Sequence, residues 1–232
     1  SRMYRFYTAL DAPRVPKGIT VMNPYADPAA QRYVKAYLDT FYADDRPRLL
    51  AFGINPGRFG AGVTGVTFTD PVALADACGV ANALARRREL SSEFIYRFID
   101  AAGGVRAFTR HAFLTAVSPL GFTRRGINLN YYDVPALARA CTPFIVASVE
   151  RHLAMGGRRD RAIVLGAGKN AEWFGRLNAQ HGWFARLDAL DHPRFIMQYR
   201  RKRVDEYVAR YVRARSEEHT SELQSHSFIS YA

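Results

Sequence analysis

A chain of 232 residues with 48% hydrophobic content can bury one sizeable core and is short for two. Its two cysteines, Cys78 and Cys141, lie far apart, with no C-x-x-C and no histidine at ligand spacing, which excludes a disulfide scaffold and a cysteine-held zinc or iron–sulfur site. No run approaches the roughly eighteen apolar residues of a membrane span, and the first residues lack a basic-then-apolar signal pattern, so a soluble, cytoplasmic protein is expected. The net charge of +12 rests mostly on arginine, whose planar fork suits phosphate, and it points to a polyanionic partner without choosing the chemistry.

In chain order, the first periodic segment predicts a helix over Ala29 to Tyr42. Leu49 to Ile54 (LLAFGI) reads as a short buried strand, followed by two helical patterns over Pro71 to Leu90 and Ser91 to Ala102. A second strand runs from Ala112 to Val117 and stops at Ser118-Pro119. Val134 to Leu153 is helical, with Pro135 acceptable as a first-turn residue. Ala162 to Leu165 is a third strand, Ala171 to Gln180 a helix, Phe184 to Leu190 a fourth strand, and Tyr199 to Arg213 a last basic helix. Apolar β-rich runs alternating with helices predict an α/β layered domain around a mostly parallel sheet. One domain over residues 1–215 is expected. Residues 216–232 (SEEHTSELQSHSFISYA) hold no Lys or Arg and read as a non-native or disordered tail; leaving out its three acids raises the net charge of the rest from +12 to +15.

The richest segment for chemistry is the loop after the first strand, GINPGRFGAGVTGVTF over residues 53–68, with five glycines in sixteen positions. Glycines let backbone N–H groups approach a ligand, and the carboxyl ends of parallel strands are where α/β domains place their sites. No Gly-Lys-Ser or Gly-Lys-Thr follows, so this is no Walker phosphate loop. Asn55 is neutral and cannot be a strong base, but its carbonyl oxygen can hold a water while its NH₂ holds another group. Phe68 offers either a flat face to a planar base or ordinary core packing.

This loop resembles the water-activating motif of the single-strand-selective monofunctional uracil-DNA glycosylases, with Asn55, Pro56, Gly57, Phe59, Gly60, Thr64, Gly65, Val66 and Phe68 in register. The likeness continues through Phe113-Leu114 to Ser118-Pro119-Leu120, through Val164-Leu165-Gly166 entering a helix, and to Asp191-His192-Pro193 after the last strand. The resemblance implies a three-layer αβα sandwich with a short, mainly parallel four-stranded sheet, and hydrolysis of the bond joining uracil or a related damaged base to DNA. It implies that Asn55 positions the attacking water and that His192 donates a hydrogen bond to the base O2 as negative charge develops. Ile54, Gly57, Phe59, Gly65, Phe68, Ser118 and Asn130 are the candidate base-binding residues. No metal or cofactor is implied, the partner is DNA, no membrane is involved, and a monomer is expected. With no lysine in the motif, base removal without strand cleavage is the expectation.

The chain departs from the family pattern in two places. Ala116 stands where the family carries an asparagine that reads the Watson–Crick edge, so strict discrimination of uracil is not expected; Ser118, Asn128, Asn130 and Asp133 are candidates for polar contacts, and the Asn-rich stretch reads equally as a turn. After His192 the sequence runs Arg194-Phe195-Ile196-Met197-Gln198-Tyr199-Arg200-Arg201-Lys202-Arg203. Phe195, Ile196 and Met197 are candidates for an apolar wedge. Arg58, Arg194, Tyr199, Arg200, Arg201, Lys202 and Arg203 are candidates for DNA contacts, the last four expected at the start of the final helix, where backbone N–H groups also favour phosphate. Together these departures resemble a bacterial sub-branch of the family.

Two other readings compete. Gly166-Ala167-Gly168-Lys169-Asn170-Ala171 fits G-x-G-x-x-A, with Asp188 or Asp191 about twenty residues on, as in a dinucleotide-binding module; little chain remains after it to complete the corresponding half-domain. The other is a damage-binding or single-strand-binding protein of the same fold without catalysis.

Overall fold

The computed structural model describes residues 1–216. In chain order it holds α1 (Arg2–Thr8), β1 (Thr20–Met22), α2 (Pro28–Phe41), β2 (Arg48–Gly53), α3 (Ala61–Thr64), α4 (Pro71–Asp76), α5 (Leu90–Ala101) and α6 (Gly104–His111). Then come β3 (Ala112–Ala116), β4 (Gly121–Arg124), β5 (Ile127–Leu129), α7 (Pro135–Ala154), β6 (Gly157–Leu165), α8 (Lys169–His181), β7 (Arg186–Leu190), α9 (Pro193–Tyr199) and α10 (Val204–Ser216). The tail assigned to residues 216–232 lies outside the described residues apart from Ser216.

Four strands form one parallel sheet in the order β3-β2-β6-β7. Every residue of β2 is buried, as a central strand covered on both faces requires. Alternate side chains then sort into two layers. Leu49, Ala51, Ala112, Leu114, Ile163 and Leu165 face Phe98 of α5, Phe108 of α6 and Tyr211 of α10. On the other side Phe52 packs on Phe174 of α8 and His152 of α7, and Phe113 also meets His152. Helices on both faces make the three-layer αβα sandwich expected from the sequence.

Several boundaries differ from the expected ones. The helix expected over Pro71 to Leu90 stops at Asp76, and Gly79 turns the chain at φ +68°, a conformation that glycine takes at little cost. Asp70 ties the two ends of this stretch together. Its Oδ1 accepts from the N–H groups of Val72 and Ala73, capping α4, and its Oδ2 accepts from the N–H of Glu89, anchoring the start of α5. Helix α6, which begins after the left-handed Gly103 and with a left-handed Gly104, lies beyond the expected elements. So does a small antiparallel sheet in the order β1-β4-β5, whose strands of three and four residues are shorter than any window that reveals alternation.

The last expected helix is also corrected. Pro193 at the first helical position and His192 as its cap begin a separate helix at α9. The chain turns through Arg201–Arg203 before α10 begins at Val204, so Tyr199 closes one helix instead of opening the next.

Candidate active site

A cavity of about 110 Å³ opens at the carboxyl ends of the parallel strands, lined by Gly53 to Gly57, Ala61, Thr67, Phe68, Glu89, Ser91, Ala116, Asn128, Asn130, His192 and Arg194. The end of β2, the end of β3, strand β5 and the start of α9 therefore converge on one point. Its size suits a single planar ring; drug-sized ligand sites run to roughly 300–1,000 Å³.

Asn55 is held at both ends of its amide. Its Oδ1 accepts from the N–H of Tyr131 at 3.0 Å and its Nδ2 donates to the carbonyl of Leu129 at 3.1 Å. The clamp fixes the amide orientation and leaves Oδ1 one further lone pair. Phe68 is buried at φ +56°, one of two non-glycine residues with positive φ among the described residues. A bulky residue in that region is strained, and such strain collects at functional sites. Its ring demands glycine beneath it: a Cβ on Gly53 would stand 2.7 Å from Phe68 Cε2.

His192 meets the Phe68 ring at a centroid distance of 5.8 Å. Its Nδ1 accepts the N–H of Arg194 at 3.2 Å, which leaves the proton of the neutral ring on Nε2. Burial, aided by the neighbouring Arg194 charge, lowers its pKa to about 4. At neutral pH this ring is an uncharged Nε2–H donor.

The structure brings together Ile54, Asn55, Gly57, Phe68, Asn130, His192 and Arg194 from the sequence-derived set, and leaves others out. Ser118 is fully buried and donates its hydroxyl to the carbonyl of Leu120, turned from the cavity. Gly65 ends α3 in a left-handed turn against Val34 and Tyr25, away from the cavity. Phe59 lies outside the lining, its ring beneath the guanidinium groups of Arg58 and Arg87. Ile196 and Met197 are 0% and 2% exposed, so they belong to the core and cannot form a wedge; Phe195 and Tyr199, 39% and 61% exposed, remain on the outer face of α9. Of the basic run, Arg201 pairs with Glu93 and Arg203 with Glu206, while Arg200 stands over the Phe195 ring. Asn130 is oriented through Asp133, whose Oδ2 accepts the Asn130 N–H.

Glu89 joins the site without any sign of it in the sequence. Its carboxyl lies over the loop glycines: a Cβ on Gly60 would stand 2.0 Å from its Oε2 and one on Gly57 3.1 Å from its Oε1. Desolvation, with the nearby Asp70 charge, raises its pKa against the opposing pull of Arg194. A single acid closing a run of three arginines carries no sequence signal of burial. Asn128, from the Asn-rich stretch, also lines the cavity, on β5 and not in a turn.

The glycine-rich turn at Gly166 does not fit a dinucleotide. Asn170 fills the space beside it, 3.1 Å from where a Cβ on Gly166 would sit, and bonds the Tyr131 hydroxyl and the Leu165 carbonyl. Asp188, one candidate ribose partner, is tied to Arg161 and Arg186. Among the described residues no group of three or more metal-ligating side chains is found, and no helix is long and apolar enough to cross a membrane.

A family model of the Uracil DNA glycosylase superfamily matches residues 40–214. The chain is also similar to the crystal structure of wild-type SMUG2 from Pedobacter heparinus, with 38% sequence identity and a TM-score of 0.88, over 92% of this chain and 94% of that one. No curated protein matches the sequence.

Proposed function

From a chain that belongs to the uracil-DNA glycosylase superfamily, we infer a DNA base-excision enzyme that hydrolyses the N-glycosidic bond of uracil or a related deaminated or oxidised base. The observation that carries this reading is the neutral His192 donor sharing one cavity with the clamped Asn55 and the Phe68 ring.

A base in a duplex must first swing out, at a cost of a few kcal/mol that is smallest for mispaired or single-stranded bases. In the cavity it stacks on Phe68 and directs its O2 at His192 Nε2–H. A water held by Asn55 Oδ1 adds to the sugar C1′ as the C–N bond breaks, and the proton it sheds ends on the departing base. The electrons of the breaking C–N bond pass to the base, and the developing charge on O2 meets a donor that needs no reorganisation. Such preorganised donors are worth roughly 2.7–4 kcal/mol of barrier in other enzymes. The lowered pKa of His192 makes the neutral ring the form that donates at neutral pH.

Among the described residues no lysine lines the cavity, so no amine stands ready to form a Schiff base with the sugar, and the product is an intact strand with an abasic site. Ala116 offers only a methyl group where the resemblance places a reading amide. Asn128 and Asn130 supply further amides in the cavity, which favours acceptance of more than one deaminated base. The exposed Arg194, Phe195, Tyr199, Arg200 and Lys202 beside His192 would contact the strand.

The test is base release from oligonucleotides carrying uracil, 5-hydroxymethyluracil, hypoxanthine or xanthine, with and without alkali. The expected result is release of at least one base, with strand breaks only after alkali. Tight DNA binding without release of any base would replace this reading by a damage-binding protein.

A further inference from the structure

Exposed large apolar side chains are rare on this surface. Among the described residues three stand out: Phe195, Tyr199 and Ile127, the last 68% exposed. All three sit on segments that also line the cavity, Phe195 and Tyr199 on α9 and Ile127 immediately before Asn128. Phe195 and Tyr199 already belong to the strand contact beside His192; Ile127 does not.

Ile127 stands at the tip of the β4–β5 hairpin, opposite Arg124 in the register. The two residues between them, Arg125 at φ +50° and Gly126 at φ +72°, form the left-handed two-residue turn that matches the twist of paired strands. Asparagine or glycine takes the first of these positions readily, whereas arginine is strained there. Apart from Phe68 in the cavity, Arg125 is the other non-glycine residue held at positive φ among the described residues. The turn leaves the Arg125 side chain exposed at the tip.

The tip is braced from beneath. Arg58 donates to the carbonyl of Gly126, and the guanidinium carbons of Arg58 and Arg87 stand 4.5 and 3.5 Å from the centroid of the Phe59 ring. Arg58, Arg87, Arg124 and Arg125 are all exposed. A rigid, strongly basic rim with one apolar point, continuous with the cavity, is complementary to a nucleic-acid strand, whose phosphates and base faces alternate along its length.

We propose that this hairpin tip is a second DNA-contacting surface, in which Arg124 and Arg125 take backbone phosphates while Ile127 packs on a nucleobase adjacent to the one in the cavity. The proposal rests on the reading of the cavity as a DNA site. It gives a physical use to Phe59 as the platform that holds Arg58 and Arg87 in place.

The experiment compares three variants with the parent in uracil release and in fluorescence-anisotropy binding to a uracil-containing single strand. They are Arg124→Ala/Arg125→Ala, Ile127→Ser, and a control of equal charge loss, Arg5→Ala/Arg151→Ala, whose arginines border a shallow groove formed by α1 and α7. The double hairpin variant is expected to raise KM and Kd about tenfold with kcat within about twofold, and to reduce the salt dependence of binding by about 1.4 in log–log slope. Ile127→Ser is expected to raise KM about fivefold with the slope unchanged. The control should match the parent in both. Hairpin variants indistinguishable from the control, with parental turnover normal, would overturn the hairpin alone. A parent that neither binds nor turns over DNA would overturn the hairpin and the glycosylase reading together.

Discussion

Two histidines of this fold share a pKa lowered to about 4 by burial, yet only one keeps a ring nitrogen unspent beside a cavity. His152, 2% exposed on α7, has both ring nitrogens spent: Nδ1 lies 2.7 Å from the Ser148 carbonyl, and Nε2 lies 2.9 Å from the Thr115 hydroxyl. His192 spends Nδ1 on a backbone N–H and leaves Nε2–H without a partner among the described residues, at the rim of a cavity. A shifted pKa alone therefore marks nothing but burial. What separates a fastener from a functional group is the hydrogen-bonding capacity the fold leaves unused.

The largest effect that can test this contrast is His192→Ala, which should lower kcat by about 10²–10³-fold while leaving DNA affinity near parental and costing no more stability than the ~1 kcal/mol of a lost helix cap. A loss of stability equal to that of a core mutant would show that the ring is structural. His152→Ala should do the reverse. It removes a ring packed against Phe6, Phe52 and Phe113, leaves the Thr115 hydroxyl only its longer contact with the Tyr7 hydroxyl at 3.4 Å, and takes the side-chain bond from the Ser148 carbonyl. The expected cost is about 3 kcal/mol, or about 6–12 °C in melting temperature for a chain of this size, with kcat measured well below the transition within about twofold. A dead but stable His152→Ala enzyme would break the distinction.

The effect that is smallest per step is one of pH. A buried histidine with a folded pKa near 4 and an ordinary unfolded value near 6.5 stabilises the fold fully above pH 6.5. As pH falls from there toward 4 the unfolded chain gains a proton that the fold refuses, so stability drops by up to about 1.4 kcal/mol per pH unit for each such group. Urea melts across this range should show that limb, and His152→Gln, which can still donate and accept, should remove one proton from it. On the role proposed for His192, activity should persist through pH 6.5 and decline only toward its lowered pKa. A half-maximal rate near pH 6.5 assigned to His192 would mean that the ring is solvated.

The parallel sheet and the two strand ends are plain in the sequence, because buried central strands such as Leu49 to Gly53 read as unbroken apolar runs and the Asn55 loop comes at once after them. His192 is legible through its place after the last strand. The wedge is harder to read, because a run such as Phe195-Ile196-Met197 does not reveal which residues face inward until Pro193 fixes where the helix begins; the helix then turns Ile196 and Met197 inward and leaves Phe195 out. Ser118 escapes for a similar reason, since a strand end does not show whether a hydroxyl faces the cavity or the next turn. Glu89 and the β4–β5 hairpin leave no trace in the sequence. The first depends on Asp70 pulling a distant backbone N–H into place, and the second on pairings between strands too short to show a period.

The contact between Gly53 and Phe68 couples the evolution of two distant positions. The last residue of β2 is denied a side chain by a ring fifteen positions later, so neither site is free to drift while the other stays. A lineage that gives up the aromatic face loses the reason for the glycine, and one that gains a side chain at position 53 must first abandon the ring. Across divergent relatives the two positions should change as a pair, and a chain keeping Phe68 above a larger residue at 53 would have to hold that ring in some other way.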